Sequence, residues 1–597
     1  MQPRTEIAPV ALASVDDMRT RIRSKSRLKG RQPQDDSLAE VQALIGAGPH
    51  RRDLLIEHLH ALNDAYRGLH ERHLVALARC LNLPMAEVYE VATFYHHFEV
   101  LRDGAQAPAL TVRVCDGLSC SLAGAQDLLA RLPAILGDAT IRVQSAPCVG
   151  RCEQAPVVVV QQNPVPHATH ETVLQQVRAD ARWHPKALDN ASFDAAARAL
   201  GSVVTDTSAV AVAPAYVGYD AYRAQGGYAL LRALADGTQD VEQVLKAMED
   251  SGLRGLGGAG FPAGRKWRIV RGQNAPRLMA VNIDEGEPGT FKDRTYLERD
   301  PHRFLEGMLV AAHIVGTEAC YIYLRDEYHG CRALLQAELD ALRADPPCAL
   351  PRMELRRGAG AYICGEESAM IESIEGKRGE PRMRPPYIAQ VGLFGRPTLE
   401  HNFETLYWVR DIVQKGANWF SGYGRNGRQG LRSFSVSGRV REPGVKLAPA
   451  GITLRELVDE YCGGMAPGHT LYAYLPGGAS GGIFPESLAD VPLDFDTLQP
   501  HGGFIGSAAV IVLSQHDKAR DAALNMMRFF AHESCGQCTP CRVGTDKAAR
   551  LMEAPQWDLG TLDDLSTVMQ DASICGLGQA APNPLRCVQT YFSHEVA

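Results

Sequence analysis

A multidomain chain of mixed α/β and α+β class is predicted by three features of the sequence. Its 597 residues exceed what one hydrophobic core accommodates, so several domains of ordinary size are expected. The apolar periodicity changes along the chain, from helical spacing to strand and helix alternation, then to short strands with Pro and Gly turns, and back to helical spacing. A glycine-rich stretch, Gly252 to Trp267 (GLRGLGGAGFPAGRKW), lies between a helical pattern and a strand. Backbone N–H groups freed from Cβ atoms approach a phosphate or a flat ring closely there, so a nucleotide site is expected.

Composition excludes other classes. Lys plus Arg is 62 against 69 for Asp plus Glu, a formal charge of -7 with no sustained basic tract, so neither nucleic acid nor anionic lipid is the expected partner. No apolar run approaches the roughly 20 residues of a membrane-spanning helix. Residues 1–36 read as an N-terminal extension; late basic residues without an apolar signal core make it a cytoplasmic arm. The 15 cysteines are grouped, which in such a chain points to metal or redox centres before disulfides.

Residues 37–105 read as a helical bundle, with Leu55, Leu59 and Leu62 on one stripe and two later segments divided by Asn82, Leu83 and Pro84. The last segment, Ala86 to Phe98, ends in Phe94, Tyr95, His96, His97 and Phe98. A helix-turn-helix DNA reader is the alternative, but this segment carries Glu87 and Glu90 and no Arg or Lys to meet phosphate. His96 and His97 are ligand types whose expected role here is packing or capping.

Residues 106–180 change to strand, helix, strand, strand, helix: Leu110–Val114, Leu122–Leu132, Thr140–Ser145, Val157–Val160 and Glu171–Val177. Cys115 and Cys120 are separated by four residues, Cys148 and Cys152 by three, all at strand ends. Four thiolates satisfy a [2Fe-2S] cluster, two from each loop. A structural zinc and two disulfides are the alternatives; zinc favours tighter Cys-x2-Cys knuckles, and disulfides conflict with the expected compartment. Residues 181–214 are Ala-rich, of weak periodicity, and read as a linker.

Residues 215–430 contain the glycine stretch. Val241, Val244, Leu245 and Met248 recur at helical spacing, Asp240 and Gln243 stand in capping-box positions, and Gly252 is placed to end the helix. Gly255, Gly257 and Gly260 formally satisfy G-x-G-x-x-G, but the loop leaves a helix and the strand, Leu278 to Ile283, comes after it. That order argues against an ordinary dinucleotide fold, and a mobile surface loop is the alternative. After the strand, Asn282 to Phe291 sets Asp284, Glu285 and Glu287 at its end, and a second block, Gly358 to Glu367, reads GAGAYICGEE.

Residues 431–515 read as short strands around a helix, ITLRELVDEYCGG, with Gly477, Gly478, Gly481 and Gly482 in a structural turn. Residues 516–597 read as helical. The amphipathic segment Lys518 to His532 delivers Cys535, Cys538 and Cys541, and Cys575 follows after a helical stretch. Three close thiolates plus a distant one suit a cubane [4Fe-4S] cluster. Cys80, Cys320, Cys331, Cys348, Cys364, Cys462 and Cys587 read as small packed residues.

The motifs GLGGAGFPAGRKW, NIDEGEPGTFKDR and GAGAYICGEESAMIESIEGKRGEPRMRPP resemble the flavin-bearing NADH-oxidising subunit of respiratory complex I and its relatives, among them the diaphorases of soluble NAD-reducing hydrogenases and NAD-dependent formate dehydrogenases. The resemblance covers nearly the whole chain. It implies a helical bundle, a thioredoxin-like ferredoxin, a flavin-binding α/β domain of non-standard Rossmann-like form, a ubiquitin-like β-grasp (SLBB-type) domain and a C-terminal helical bundle. It also implies FMN, NAD(H), one [2Fe-2S] and one [4Fe-4S] cluster as cofactors.

Carried onto this sequence, the family pattern sets Gly255, Gly257, Gly258, Gly260 and Lys266 along the flavin mononucleotide and the dinucleotide. Phe261 would stack on NADH; Asn282, Asp284 and Glu285 would hold the flavin, with Glu287 on the nicotinamide side. Tyr362, Gly365, Glu366 and Glu367 would continue the wall, as would Asn402 and Thr405. Arg384 stands where the family commonly has lysine, Tyr387 where it often has phenylalanine, and His401 interrupts the usual Asn-Asn pair. A carboxylate at Glu367 accepts from a ribose 2′-hydroxyl and repels a 2′-phosphate, which favours NAD over NADP; a solvated helix start is the alternative for Glu366 and Glu367.

The resemblance further implies hydride exchange between NAD(H) and flavin and single-electron relay through the clusters, with no side-chain nucleophile or base. The complete four-cysteine ferredoxin fused to the flavin module, and the stretch GLFGRPTLEHNFETLYWVRDIV, look more like the formate dehydrogenase branch. The expected partner is a large molybdenum- or tungsten-containing formate dehydrogenase subunit, with a hydrogenase electron-transfer subunit second and a small subunit as an optional third component. A degenerate, non-catalytic electron-transfer or assembly module is the alternative of a different class.

Overall fold

The computed structural model describes residues 30–102, 104–185 and 216–596. Most of the expected extension (1–36) and linker (181–214) therefore lies outside the described residues. The first helices, α1 Asp35–Ile45, α2 Leu55–Tyr66, α3 Glu71–Leu81 and α4 Met85–Phe94, pack through the anticipated stripe, with Leu55, Leu59 and Leu62 fully buried. Each such leucine contributes about 1.5–3 kcal/mol, whereas an exposed ion pair such as Arg52 with Glu87 contributes about 0–1 kcal/mol. The apolar stripe, not the surface charge, therefore seats these helices. Their core is continuous with Ala359, Ile363, Met370 and Ile371 further along the chain.

The next sheet has the order β2-β1-β3-β4, from β1 Leu110–Cys115, β2 Ile141–Ala146, β3 Val158–Val160 and β4 Asn163–Val165. β1 and β2 are parallel with Cys115 opposite Ala146, so the loops carrying Cys115 and Cys148 leave the same edge. Where one helix was expected over Leu122–Leu132, two occur, α5 Leu118–Leu122 and α6 Ala125–Leu136. Gly124, at φ +92°, breaks the first from the second. The short β4 carries Pro164 on the sheet edge, a composition that conceals a strand. Thr169 caps α7 His170–Arg178 through a reciprocal bond with Thr172.

The central sheet is wholly parallel, β8-β5-β6-β7, from β5 Arg277–Ile283, β6 Thr317–Leu324, β7 Arg352–Arg357 and β8 Thr398–Asn402. Helices precede and connect the strands, including α8 Val241–Asp250, α9 Ala263–Arg271, α10 Lys292–Arg299, α11 Pro301–Val315, α12 His329–Ala344, α13 Glu367–Ile374 and α14 Phe403–Tyr407. Asp240 caps α8 by accepting from the Gln243 N–H, as anticipated. Gly264, expected in the glycine loop, lies instead in the first turn of α9. A Cβ there would stand 2.8 Å from the Glu249 backbone nitrogen of α8, so this glycine serves helix crossing. The C-terminal ends of all four strands open at one edge, the usual place for a ligand crevice in such sheets.

The last sheet has the order β10-β9-β13-β11-β12, from β9 Leu431–Gly438, β10 Gly444–Pro449, β11 Leu471–Leu475, β12 Phe484–Pro485 and β13 Ala509–Ser514. The expected helix is a turn at Leu454–Glu456, capped by Thr453, that widens into a π-type turn over Leu457–Tyr461. Helices α15 Ala519–Glu533, α16 Thr539–Met552, α17 Leu559–Ala572, α18 Gly576–Ala580 and α19 Asn583–Tyr591 complete the chain. No helix among the described residues is long and apolar enough to cross a membrane.

Buried charge joins the cysteine-bearing sheet to the central one. The Arg294 guanidinium donates to the Gly150 carbonyl at 2.9 Å and pairs with Glu153 and with Glu298. Arg151 reaches Glu298 from the other side at 3.1 Å. Removing Arg294 leaves two buried carboxylates short of a partner, which costs about 3–5 kcal/mol. Arg294→Ala is expected to lower the denaturation midpoint of the full chain by that order; an unchanged midpoint would show that the pairing does not hold the junction.

Candidate functional site

At the crevice, the loop between α8 and α9 folds back on itself. The Gly255 N–H donates to the Phe261 carbonyl at 2.8 Å, the Gly260 N–H to the Gly255 carbonyl at 3.2 Å, and the Ala263 N–H to the Leu253 carbonyl at 2.9 Å. The N–H groups of Gly257, Gly258 and Ala259 have no hydrogen-bond partner among the described residues. A Cβ at Gly257 would lie 2.9 Å from that of Asn402, and Gly260 sits at φ +66° against Phe495, so both positions require glycine. The Thr405 hydroxyl accepts from the Leu256 N–H at 2.9 Å, and the Asn402 side chain caps α14 at the Thr405 N–H. Phe261 stands out from the loop, 39 % exposed, with Arg265 over its ring. An ordered loop with unclaimed donors and an outstanding aromatic fits a nucleotide cradle and replaces the surface-loop alternative.

The carboxylates at the end of β5 divide by role. Asp284 has a buried Oδ2 without a hydrogen-bond partner, and burial pushes its carboxyl well above the usual range. An orphaned buried oxygen of this kind fits a ligand group that the protein itself does not supply. Glu285, expected to hold the flavin, is saturated otherwise: it accepts from the N–H groups of Asp293 and Arg294 and from the Tyr328 hydroxyl, capping α10. Its acceptors are therefore spent on the fold. Asn282 accepts from the Asp284 N–H and donates to the Gly365 carbonyl at 2.9 Å, tying two loops. Glu287 accepts from the Tyr362 hydroxyl on one oxygen and from the Ser480 N–H and hydroxyl on the other, and burial raises its carboxyl. The glycine turn around Gly478 and Gly481 thus closes on Glu287, as a structural turn.

A charged cluster lies along α13. Glu366 caps that helix at the Ser368 and Ala369 N–H groups and pairs with Arg384. Glu367 lies 3.3 Å from Arg384; burial, with Glu400 beside it, raises its carboxyl, and no donor other than Arg384 reaches it among the described residues. Lys266 donates to both the carbonyl and the carboxylate of Glu400 at 2.9 Å. Tyr387 is 55 % exposed. His401 faces away from the crevice and accepts from the Trp267 indole at 2.7 Å, buried and neutral. That is why a histidine stands in place of an asparagine there.

Sequence reasoning missed the buried network beneath Asn402. Lys292 pairs with Asp293 at 2.8 Å and with Glu404 at 3.1 Å, and Asn402 donates to Asp293, whose carboxyl burial pushes up to about 7. Three adjacent charges in a sequence read as a solvated helix start, so no periodic signal exposes them.

All 15 cysteines are free thiols, which removes the disulfide alternative. Cys148 and Cys152 lie 3.4 Å apart, and Cys115 is within hydrogen-bond reach of Cys120 and Cys148. Hydrogen bonds from Cys115 and Cys152, with the Arg325 guanidinium near, hold the Cys148 thiol well below its ordinary range, which favours the ligating thiolate. Cys535, Cys538, Cys541 and Cys575 line one cavity with Ile363, Pro381 and Leu577. The Leu577 and Gly578 N–H groups donate to Cys575, as is common around cluster sulfurs. Both donor sets fit four-sulfur coordination.

Three family descriptions match the chain: a thioredoxin-like [2Fe-2S] ferredoxin over residues 41–179, a Nuo51 FMN-binding domain over residues 248–411, and an NADH-ubiquinone oxidoreductase-F iron-sulfur binding region over residues 521–597. The chain is similar to the second F-type NADH-quinone oxidoreductase flavoprotein of Rhizobium meliloti, 42 % identical over 390 residues that make up 63 % of this chain and 92 % of the relative. It is 40 % identical over 372 residues to the mitochondrial NADH dehydrogenase [ubiquinone] flavoprotein 1 of Dictyostelium discoideum, covering 59 % of this chain and 78 % of the relative. Among solved structures, a chain of an NAD+-reducing [NiFe]-hydrogenase in the H2-reduced state superposes with a TM-score of 0.75 at 32 % identity, covering 91 % of this chain and 92 % of that one.

Thr405 offers a test of the loop. Thr405→Val deletes the acceptor of the Leu256 N–H and leaves a buried donor unpaired, a cost of about 1–3 kcal/mol. FMN retention, followed by release of free flavin fluorescence, is expected to weaken by about 5-fold or more; parental retention would show that the hydroxyl does not hold the cradle.

Proposed function

The chain belongs to the family of flavin-bearing, NADH-oxidising 51 kDa subunits of complex I, and we propose that it is the NAD(H)-linked diaphorase subunit of a multisubunit enzyme whose large partner is a molybdenum- or tungsten-containing formate dehydrogenase subunit. Its FMN-binding domain, thioredoxin-like [2Fe-2S] domain and [4Fe-4S] region define its cofactors, with NADH as the substrate. When bound, the flavin supplies hydride exchange with nicotinamide and the clusters supply one-electron relay.

One observation supports the reading above others. Tyr362 donates to Glu287 in the crevice, while the next residue, Ile363, lines the cavity of Cys535, Cys538, Cys541 and Cys575. The Tyr362 N–H in turn donates to Glu533 at the end of α15, two residues before Cys535. Crevice and cysteine cavity thus share one wall. In this reading the loop N–H groups of Gly257, Gly258 and Ala259 receive phosphate, Asp284 meets a polar edge of the flavin, Phe261 stacks on the dinucleotide, and Glu287 faces the nicotinamide side. Cys115, Cys120, Cys148 and Cys152 hold the [2Fe-2S] cluster; the other four cysteines hold the [4Fe-4S].

The fused, complete ferredoxin supports the formate dehydrogenase partner. A hydrogenase partner is favoured by a different observation: the Rhizobium meliloti relative accounts for 63 % of this chain, whereas the hydrogenase chain accounts for 91 %. Metal analysis of the co-purified large subunit separates the two: molybdenum or tungsten supports the first, and nickel replaces it with the second.

Glu367 lies where a ribose hydroxyl would be read, so Glu367→Gln removes the repulsion of a 2′-phosphate. The variant is expected to gain NADPH-dependent dye reduction by about tenfold relative to NADH, measured as the ratio of kcat/KM values; an unchanged ratio removes the assignment. Cys538→Ala is expected to leave flavin bleaching by NADH intact and to abolish onward transfer together with the [4Fe-4S] signal. Transfer that persists without that signal would sink the relay.

A further inference from the structure

We propose that His96, His532 and Glu533 form an additional metal site, for one divalent transition ion of the zinc class, at the seam between the first helices and α15. His96 lies just beyond α4, and His532 and Glu533 end α15. The two imidazoles stack with centroids 4.1 Å apart and 26° between planes. One ligand atom from each of the three residues lies within 4.8 Å of the others. Neither ring has a hydrogen-bond partner among the described residues, and both rings are exposed. Glu533 uses one oxygen for the Tyr362 N–H and keeps the other.

Ligand atoms on a tetrahedral zinc stand about 3.4 Å apart at bond lengths of about 2.1 Å. Closing the group takes little more than about 1 Å, within reach of rotating two solvent-facing rings. Two imidazoles and a carboxylate, with water completing the shell, suit zinc and its neighbours; calcium and magnesium prefer all-oxygen shells. A second trio shows what a saturated cluster looks like. His60, His97 and Asp326 also stand close together. There, however, His97 pairs with Asp326 at 2.7 Å and meets Asn63, His60 bonds the Gly358 carbonyl at 2.8 Å, and Arg357 holds Asp326 at 2.6 Å. That trio is a structural network. The exposed trio spends only one of its acceptors on the fold.

An ion in this position clamps the end of α15, immediately ahead of Cys535, to the first helices. The test uses the full chain loaded with FMN and both clusters, dialysed against zinc chloride. Metal analysis is expected to find one zinc per chain beyond the iron complement, and X-ray absorption at the zinc edge a nitrogen and oxygen shell with imidazole scattering. His96→Ala and His532→Ala should each weaken binding by about tenfold or more, and zinc should raise the Tm of the parent but not of the double variant. Unchanged iron, FMN and metal-free dye reduction show that the variants are folded. Parental zinc affinity in both variants, or a sulfur shell, overturns the site.

Discussion

The relative placement of the cofactor regions depends on two guanidinium groups buried away from water. Arg325 donates to the carbonyls of Glu285 and Cys148 and pairs with Glu327 at 3.1 Å; Arg294 spans Gly150, Glu153 and Glu298. Burying an arginine is tolerable only when its planar fork finds acceptors in fixed directions. Here those acceptors come from the cysteine loop on one side and the end of β5 on the other. Each guanidinium therefore converts its own desolvation penalty into a geometric constraint. Gly150, at φ +68° and facing the Tyr328 hydroxyl, admits no larger residue at the contact.

Legibility followed the locality of the chemistry. The cluster ligands were readable because each loop must present several thiolates within a few residues, a demand that spacing records. The capped helix at Asp240 and the strand at Leu278 were equally local. What escaped were groups whose meaning lies in distant partners: Glu285, drawn inward by the N–H groups of Asp293 and Arg294; Lys292, answered by Glu404; and His401, turned to Trp267. Residue type alone does not distinguish an acid that faces a ligand from one that caps a helix. Similarly, Gly264 reads as one more loop glycine until the helix crossing it permits is seen.

The crevice is assembled from pieces that cannot form it alone. The glycine loop leans on Thr405 and Asn402 of the segment after β8, and Glu287 is gripped by Ser480 from the last sheet and Tyr362 from the segment after β7. Loops so cross-braced lose their freedom during folding rather than on binding, which lowers the ordering cost a ligand must meet.

The shared wall at Tyr362 and Ile363 has an evolutionary corollary. Because adjacent residues of one short segment border two compartments, a substitution that shifts this backbone retunes both at once. Independent adjustment of the two redox potentials is then confined to side chains on the far walls, and sequence drift within the segment should be correspondingly narrow.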